Sequence, residues 1–203
     1  MSRPPVMPTL IVAAAVATMI ALGVWQLGRS EEKAALLAEY ARAASLPALD
    51  LDPLLDRGDA RLPPLAFRRA LVACHARDAE PELRGGRSRD GASGYSWFVP
   101  CRPGAGGLAG RLVVNAGWTA LPEEGRRLTL DGPVAGTLGS VRDEGRIVLT
   151  AASAPPPLRP SAPPRIDEIP DNHLVYAFQW FFFAAAALVI YVLALRRRLS
   201  RRN

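Results

Sequence analysis

Apolar residues concentrate in two long runs, one near each end of the chain. Residues 6–27 and residues 174–195 contain no charged side chain. At about 1.5 Å rise per residue, a helix over either run spans the roughly 30 Å hydrocarbon core of a bilayer. A cleaved signal peptide is the alternative for the first run, but its apolar region usually has only about 7–15 residues. We therefore predict two transmembrane helices, at 6–27 and 174–195.

The polar chain between these runs, residues 29–172, has the pattern of a folded domain. Residues 30–44 have helical spacing and can continue the first span as a helix. Four prolines in 46–64 predict a loop with at most one short turn, and the glycine-rich residues 84–94 predict a mobile loop. Proline-rich residues 154–164 predict an extended strut from the domain back to the membrane.

Short strand-like runs, separated by turn residues, fill the region from about 66 to 150. They lie at 67–76, 95–101, 111–118, 128–138 and 146–150, and we expect Trp118 in the core. Because no ten-residue helical pattern separates them, a parallel sheet is disfavoured. The predicted fold class is an α+β membrane protein, in which two transmembrane helices flank an extracytoplasmic antiparallel β-sheet domain.

Charge sets the expected orientation. The chain has 203 residues and a net charge of +6, and five arginines follow the second apolar run in the basic tail 196–203. The positive-inside rule places that tail and the N-terminus in the cytoplasm, and so residues 29–172 outside. A single lysine among many Ala, Arg, Gly and Pro residues suggests a bacterial gene. We expect a multi-pass protein of the bacterial plasma membrane, with the lipid bilayer rather than nucleic acid as partner and with a periplasmic central domain.

Two cysteines, Cys74 and Cys101, lie in this central domain. An oxidising compartment and positions on neighbouring strands would allow a disulfide, while two small buried thiols are the alternative. His75 adjoins Cys74, but adjacent strand residues point to opposite faces, so the two are poor co-ligands.

Catalytic motifs are absent from the sequence. It has no Gly-x-Ser-x-Gly elbow, no His-Glu-x-x-His and no P-loop, and only two histidines. We expect no enzyme activity.

Motifs at both ends of the chain resemble those of the Surfeit locus protein 1 family, the cytochrome c oxidase assembly factors. Residues 22–29 (LGVWQLGR) with Lys33 close the first span, and residues 171–181 (DNHLVYAFQWF) open the second. Between them lie Gly94-Tyr95 and residues 114–118 (VNAGW), where the family usually has arginine at the position of Ala116. Asp171 replaces the more usual asparagine and keeps helix-capping chemistry. Topology, length and motif order agree along the whole chain.

The resemblance implies a role in building haem-copper oxidase. Bacterial members are associated with binding haem a and delivering it to the large oxidase subunit, which is therefore the expected partner, with haem a synthase as a second candidate. A scaffold that aids oxidase assembly without binding haem is the alternative. A two-helix membrane sensor with an external ligand domain is disfavoured, because the tail after the second span is too short for a signalling module.

His173 is the expected haem-iron ligand. The positive end of a helix disfavours imidazolium and keeps the ring neutral, as a ligand must be. Tyr176, Ala177 and Trp180 follow on the same face, where the alanine leaves room and the tryptophan could stack on a macrocycle.

The end of the first span completes this expected site. Trp25 and Gln26 lie at the same depth as His173 if the helices pair, and Arg29, one turn further out, could neutralise a propionate. The alternatives are an interfacial anchoring histidine, an ordinary aromatic belt and a snorkelling arginine.

Overall fold

Two long helices carry the apolar runs. The computed structural model describes residues 5–57, 65–77, 79–102, 104–126, 128–139 and 145–200. Helix α1 spans Val6–Ser45 and α3 spans His173–Ser200. Both are long and apolar enough to cross a membrane, with mean hydropathy of 2.1 and 2.2 over their most apolar segments. The predicted first span and the helix at 30–44 are thus one continuous helix, and α3 extends past the predicted span into the arginine-rich tail.

The chain forms two units, one of residues 1–37 with 169–203 and one of residues 38–168. In the first unit, a set of less exposed positions along α1 recurs at alternating spacings of three and four residues: Thr9, Val12, Val16, Met19, Gly23, Gln26, Ser30 and Lys33. The corresponding positions of α3 are His173, Ala177, Trp180, Ala184, Ala187 and Tyr191. This average period of about 3.5 is that of helices packed in a left-handed pair.

Small residues let the two helices approach closely. The four buried residues among the described parts of this unit are Gly23, Ser30, Ala177 and Ala184. A Cβ atom added at Gly23 would lie 2.7 Å from the ring of Phe181. Thr9 also hydrogen-bonds Tyr191. Without a hydrophobic force between helices in lipid, such close packing is the main source of association.

The second unit contains a seven-stranded sheet. Its strands are β1 Leu49–Asp50, β2 Arg69–Ala76, β3 Glu82–Arg87, β4 Ser93–Pro100, β5 Leu112–Thr119, β6 Leu130–Leu138 and β7 Ile147–Ala151. Their order is β1-β2-β6-β7-β5-β4-β3. Four of the strand pairs are antiparallel, but β1 with β2 and β5 with β7 are parallel. The predicted fold class, two apolar helices flanking an α+β sheet domain, is confirmed. The sheet is mixed rather than antiparallel throughout, because β7 returns from β6 and inserts between β6 and β5.

The sheet closes on itself through the two cysteines. Three strands separate β2 from β4 in the sheet order, yet His75 N donates to Cys101 O at 2.8 Å. Cys74 and Cys101 are disulfide-bonded, with their Cα atoms 4.9 Å apart. They are thus not on strands adjacent in sheet order, as the sequence suggested, but meet where the sheet curls round. Both lie in the core, with α2 (Asp52–Arg57) packed on β2 through Leu55.

Two stretches expected to be loops are ordered on the sheet. Residues 84–94 begin in β3, which pairs with β4 along its whole length. Gly86, one of the glycines that suggested mobility, instead permits close packing, because a Cβ there would collide with the Ser96 side chain. Within the loop predicted at 46–64, β1 and α2 form; residues 58–64 lie outside the described part of the chain.

The proline-rich segment lies against the sheet. Trp118 and Arg159 exchange two backbone hydrogen bonds, at 2.6 and 2.9 Å, and Ala162 N donates to Arg87 O at 2.9 Å. Leu158 and Ser161 are buried. The prediction of a strut that leaves the sheet is therefore wrong for residues 158–162, because their backbone groups hydrogen-bond to β5 and to the end of β3.

Candidate functional site

His173 occupies the first residue of α3. Tyr176 N donates to Asn172 O at 3.1 Å, so Asn172 holds the N-cap position and Asp171 lies one residue outside it. The capping role that the sequence assigned to Asp171 therefore belongs to Asn172. The imidazole stands at the positive end of the helix dipole, as the sequence predicts.

Gln26 holds the imidazole ring. Its side-chain Oε1 lies 2.8 Å from His173 Nδ1, across the helix pair. Because an amide oxygen can only accept, Nδ1 carries the hydrogen, and in the neutral ring the lone pair is then on Nε2. This is the arrangement found around histidine metal ligands, where a hydrogen bond on one nitrogen fixes the tautomer and orientation of the other.

The neighbouring side chains differ in exposure. Ala177 is 1% exposed and lies between His173 and Phe181 on the face that packs on α1. The expected room beside the imidazole is therefore absent, because the partner helix fills it. Tyr176 and Trp25 are 49% and 57% exposed, and Trp180 is half-buried. A planar ligand on His173 would accordingly lie along the outside of the pair, among exposed aromatic rings, rather than between the helices.

Arg29 already has a partner. Its guanidinium contacts the Glu32 carboxylate one turn along α1, and the two side chains are 50% and 64% exposed. A propionate would have to compete with Glu32 for this cation. Such exposed pairs contribute little, typically about 0–1 kcal/mol, so the competition is not a strong barrier.

The second histidine lies in a different setting. His75 is on β2, its side chain is 67% exposed, and its Nδ1 is 3.4 Å from Asp131 Oδ1. The hydrogen bond from Arg77, and then the one from His75, holds the pKa of Asp131 below its usual value. Within the residues that the structure describes, no group of three or more His, Cys, Asp or Glu side chains could hold a metal ion.

Sequence reasoning missed one buried polar cluster in the sheet domain. Ser161 Oγ donates to Asn115 Oδ1 at 2.9 Å and lies 3.1 Å from Ser96 Oγ. All three side chains are more than nine-tenths buried. The signal was Asn115 within the VNAGW motif, but its partners come from distant parts of the chain.

A β-bulge shapes that motif. Trp97 pairs with Gly117 and Phe98 pairs with Asn115, so Ala116 is the extra residue. After the bulge, the side chains of β5 point to the opposite face from the one their position would otherwise give. Trp118 therefore pairs with Ser96 on the face away from the core cluster. Trp118 is buried, but beneath the proline-rich segment rather than in the core as expected.

Comparison with known proteins agrees with the motifs at the chain ends. The family model of the SURF1 family matches residues 13–185, which include most of α1, the whole sheet domain and the first part of α3. No curated protein matches the chain. The match covers well over half of the chain, which therefore belongs to the SURF1 family, a family of assembly factors associated with cytochrome c oxidase.

Proposed function

We propose that this membrane protein binds haem a through His173 and helps to insert it into the large subunit of a haem-copper cytochrome c oxidase. Membership of the family supports the association with oxidase assembly. The observation that carries the haem proposal is the hydrogen bond between Gln26 and His173. It ties an otherwise mobile imidazole to the partner helix and leaves Nε2 able to act as a ligand.

Each residue of the helix pair has a part in this proposal. Gln26 sets the tautomer and the ring plane of His173, while Tyr176 and Trp180 offer aromatic surface beside the imidazole. Haem a, the cargo, supplies the iron that takes the imidazole nitrogen. Arg29 offers a cation at the rim once Glu32 is displaced. A single ligand with little enclosure suits a carrier, because cargo held at one exposed position is readily handed on.

The proposed location rests on the arginines near the C-terminal end of α3. We place both termini in the cytoplasm and the sheet domain on the periplasmic side of a bacterial plasma membrane, because Arg196, Arg197 and Arg198 continue the second span. The large oxidase subunit is then the receiving partner and haem a synthase the donor.

A scaffold without haem is the second candidate. It is favoured by the burial of Ala177, which leaves no slot between the helices, and by the pairing of Arg29 with Glu32. On this alternative, His173 and Gln26 serve to lock the helix pair.

The test is the reduced-minus-oxidised spectrum of the protein purified from cells that make haem a. We expect a haem a band in the wild type that is lost in His173→Ala and kept in His75→Ala, which removes the exposed histidine of the sheet domain. A band that persists in His173→Ala would move the ligand elsewhere. Haem-free wild type that still co-purifies with the large oxidase subunit would favour the scaffold.

A further inference from the structure

A cleft on the sheet domain is lined by donors around a buried amide. It has a volume of about 460 Å³, and its lining includes Asn115, Thr150, Arg84, Arg87 and Phe98. These residues come from β5, β7, β3 and β4, and Pro163 and Pro164 of the proline-rich segment form another wall. The register places Asn115 opposite both Phe98 and Thr150, so the floor of the cleft is continuous across three strands.

The orientation of the Asn115 amide is fixed from behind. Ser161 Oγ donates its single hydrogen to Asn115 Oδ1, so the hydrogen bond between Ser96 and Ser161 must be donated by Ser96. This chain of two hydroxyls holds the oxygen of the amide. The Nδ2 group, with its two hydrogens, has no partner among the described residues, although Asn115 is only 8% exposed and lines the cleft.

The two hydrogens of Nδ2 are therefore available to a ligand in the cleft that accepts hydrogen bonds. Thr150, also 8% exposed, brings a hydroxyl to the same surface.

Charge selects an acceptor that is negative. Arg84 lies over the Phe98 ring at 5.0 Å and bonds Glu82, which also receives Arg146. Among the described residues that line the cleft, two are basic, Arg84 and Arg87, and one is acidic, Glu168. Phe98 and the two prolines add apolar surface beside these donors.

We propose that this cleft is a binding site for a small organic anion, a carboxylate attached to an apolar body. The carboxylate accepts from Asn115 Nδ2 and the Thr150 hydroxyl and is attracted by the nearby positive charge of Arg87, and the apolar part lies against Phe98 and the prolines. The site involves neither His173 nor Gln26, so it stands or falls separately from haem binding.

The test is a ligand-observed NMR titration of the full-length protein in detergent with 3-phenylpropionate, and with 3-phenylpropan-1-ol as the uncharged analogue. We expect saturable binding of the carboxylate and at least about tenfold weaker binding of the alcohol. Asn115→Asp keeps the acceptor for Ser161 but replaces the donor with a second carboxylate oxygen, and should weaken binding at least about tenfold.

Arg87→Gln provides a variant at an exposed position, where the fold is not at risk, and should weaken binding about three- to tenfold. Arg111→Gln makes the same charge change outside the cleft and should leave binding unchanged. Equal binding of acid and alcohol, no binding up to about 10 mM, or equal losses in Arg87→Gln and Arg111→Gln would overturn the proposal. If Asn115→Asp does not fold, the two arginine variants decide.

Discussion

In the helix pair, the side chain of His173 is held by a single hydrogen bond that it donates to Gln26 on the facing helix. In the sheet domain, Asn115 is held by two serines in series, one of them from the proline-rich segment. Both arrangements fix one polar atom and leave another able to bind. They differ in what positions the partners. A regular helical repeat positions Gln26 against His173, whereas a β-bulge, the close approach at Gly86 and the proline-rich segment position the serines against Asn115.

This difference teaches where a sequence reveals a site. Along α1 and α3, the period of about 3.5 residues places Gln26 and His173 on the faces that the two helices turn toward each other, at the same depth. No such period links Asn115 to Ser161, which lies 46 residues away. Residues of a site on regular helices can be located from their spacing in the sequence, whereas those of a site built on irregular contacts can be located only once the fold is known.

Removal of the disulfide should give the largest difference in effect between the sheet domain and the helix pair. Cys74→Ala with Cys101→Ala opens a loop of 27 residues, and the lost constraint should reduce the free energy of unfolding of the sheet domain by about 3–4 kcal/mol. Near-ultraviolet circular dichroism during thermal unfolding measures this. The wild type should be destabilised by a thiol reductant, and the double variant should not respond further. An unchanged melting temperature in the variant would contradict closure of the sheet by this bond.

A bulky residue at Gly23 should disturb the helix pair alone. Gly23→Leu drives a side chain into Phe181, which should cost about 1–3 kcal/mol and push the helices apart. Spin labels at the exposed positions Leu10 and Leu193 report the separation. Gly28→Leu is the matched control, because nothing lies within 4 Å of its Cβ position. The same change of distance in both variants would contradict close packing of α1 on α3 at Gly23.

Two adjacent glycines on β3 test the serine chain behind Asn115. Gly86→Ala places a methyl group against Ser96, and we expect a loss in the lower half of the range of about 1–3 kcal/mol. Gly85→Ala meets nothing within 4 Å and should be nearly neutral. Chemical denaturation of both variants measures the difference. Equal stabilities would show that the close approach of β3 to β4 is not needed.

The smallest effect concerns pH. Hydrogen bonds from Arg84 and then Arg146 hold the pKa of Glu82 below the usual 4.5. Its contribution to stability is therefore present above pH 4.5 and is lost as the pH falls through the lowered folded pKa.

Glu82→Gln should remove this contribution, at most about 1 kcal/mol because the pair is half exposed, and flatten the acid limb of the stability profile. Glu80→Gln, an exposed carboxylate outside this pair, is the control. A steeper acid limb in Glu82→Gln would contradict the assignment.

Much of the fold followed from the sequence. Both helices and five strands were predicted close to their observed positions, because long apolar runs and alternating strands are strong local signals. β3 was missed because its glycines and arginines resemble a loop, although they fit an edge strand. The parallel pairing of β5 with β7 could not be predicted, since nothing local records which strand lies beside which.

The candidate haem site was placed only in part by sequence. Pairing of the spans brings Gln26 to His173, as helical spacing suggests. Ala177 was interpreted as space beside the ring, but a small residue on a helix in lipid more often marks the contact with another helix. The partner of Arg29 was also missed, although the i,i+3 spacing between Arg29 and Glu32 on α1 could have indicated it.

The most direct test of the central claim is chemical rescue at His173. The protein carrying His173→Gly, purified from cells that make haem a, should lack the haem a band, and free imidazole added with haem a should restore it. The amount of haem a bound by the wild type should not increase with imidazole, because its own ring already holds the iron. An undiminished band in His173→Gly, or a lost band that imidazole leaves unrestored while the helix distance between labels at Leu10 and Leu193 is normal, would contradict ligation by His173.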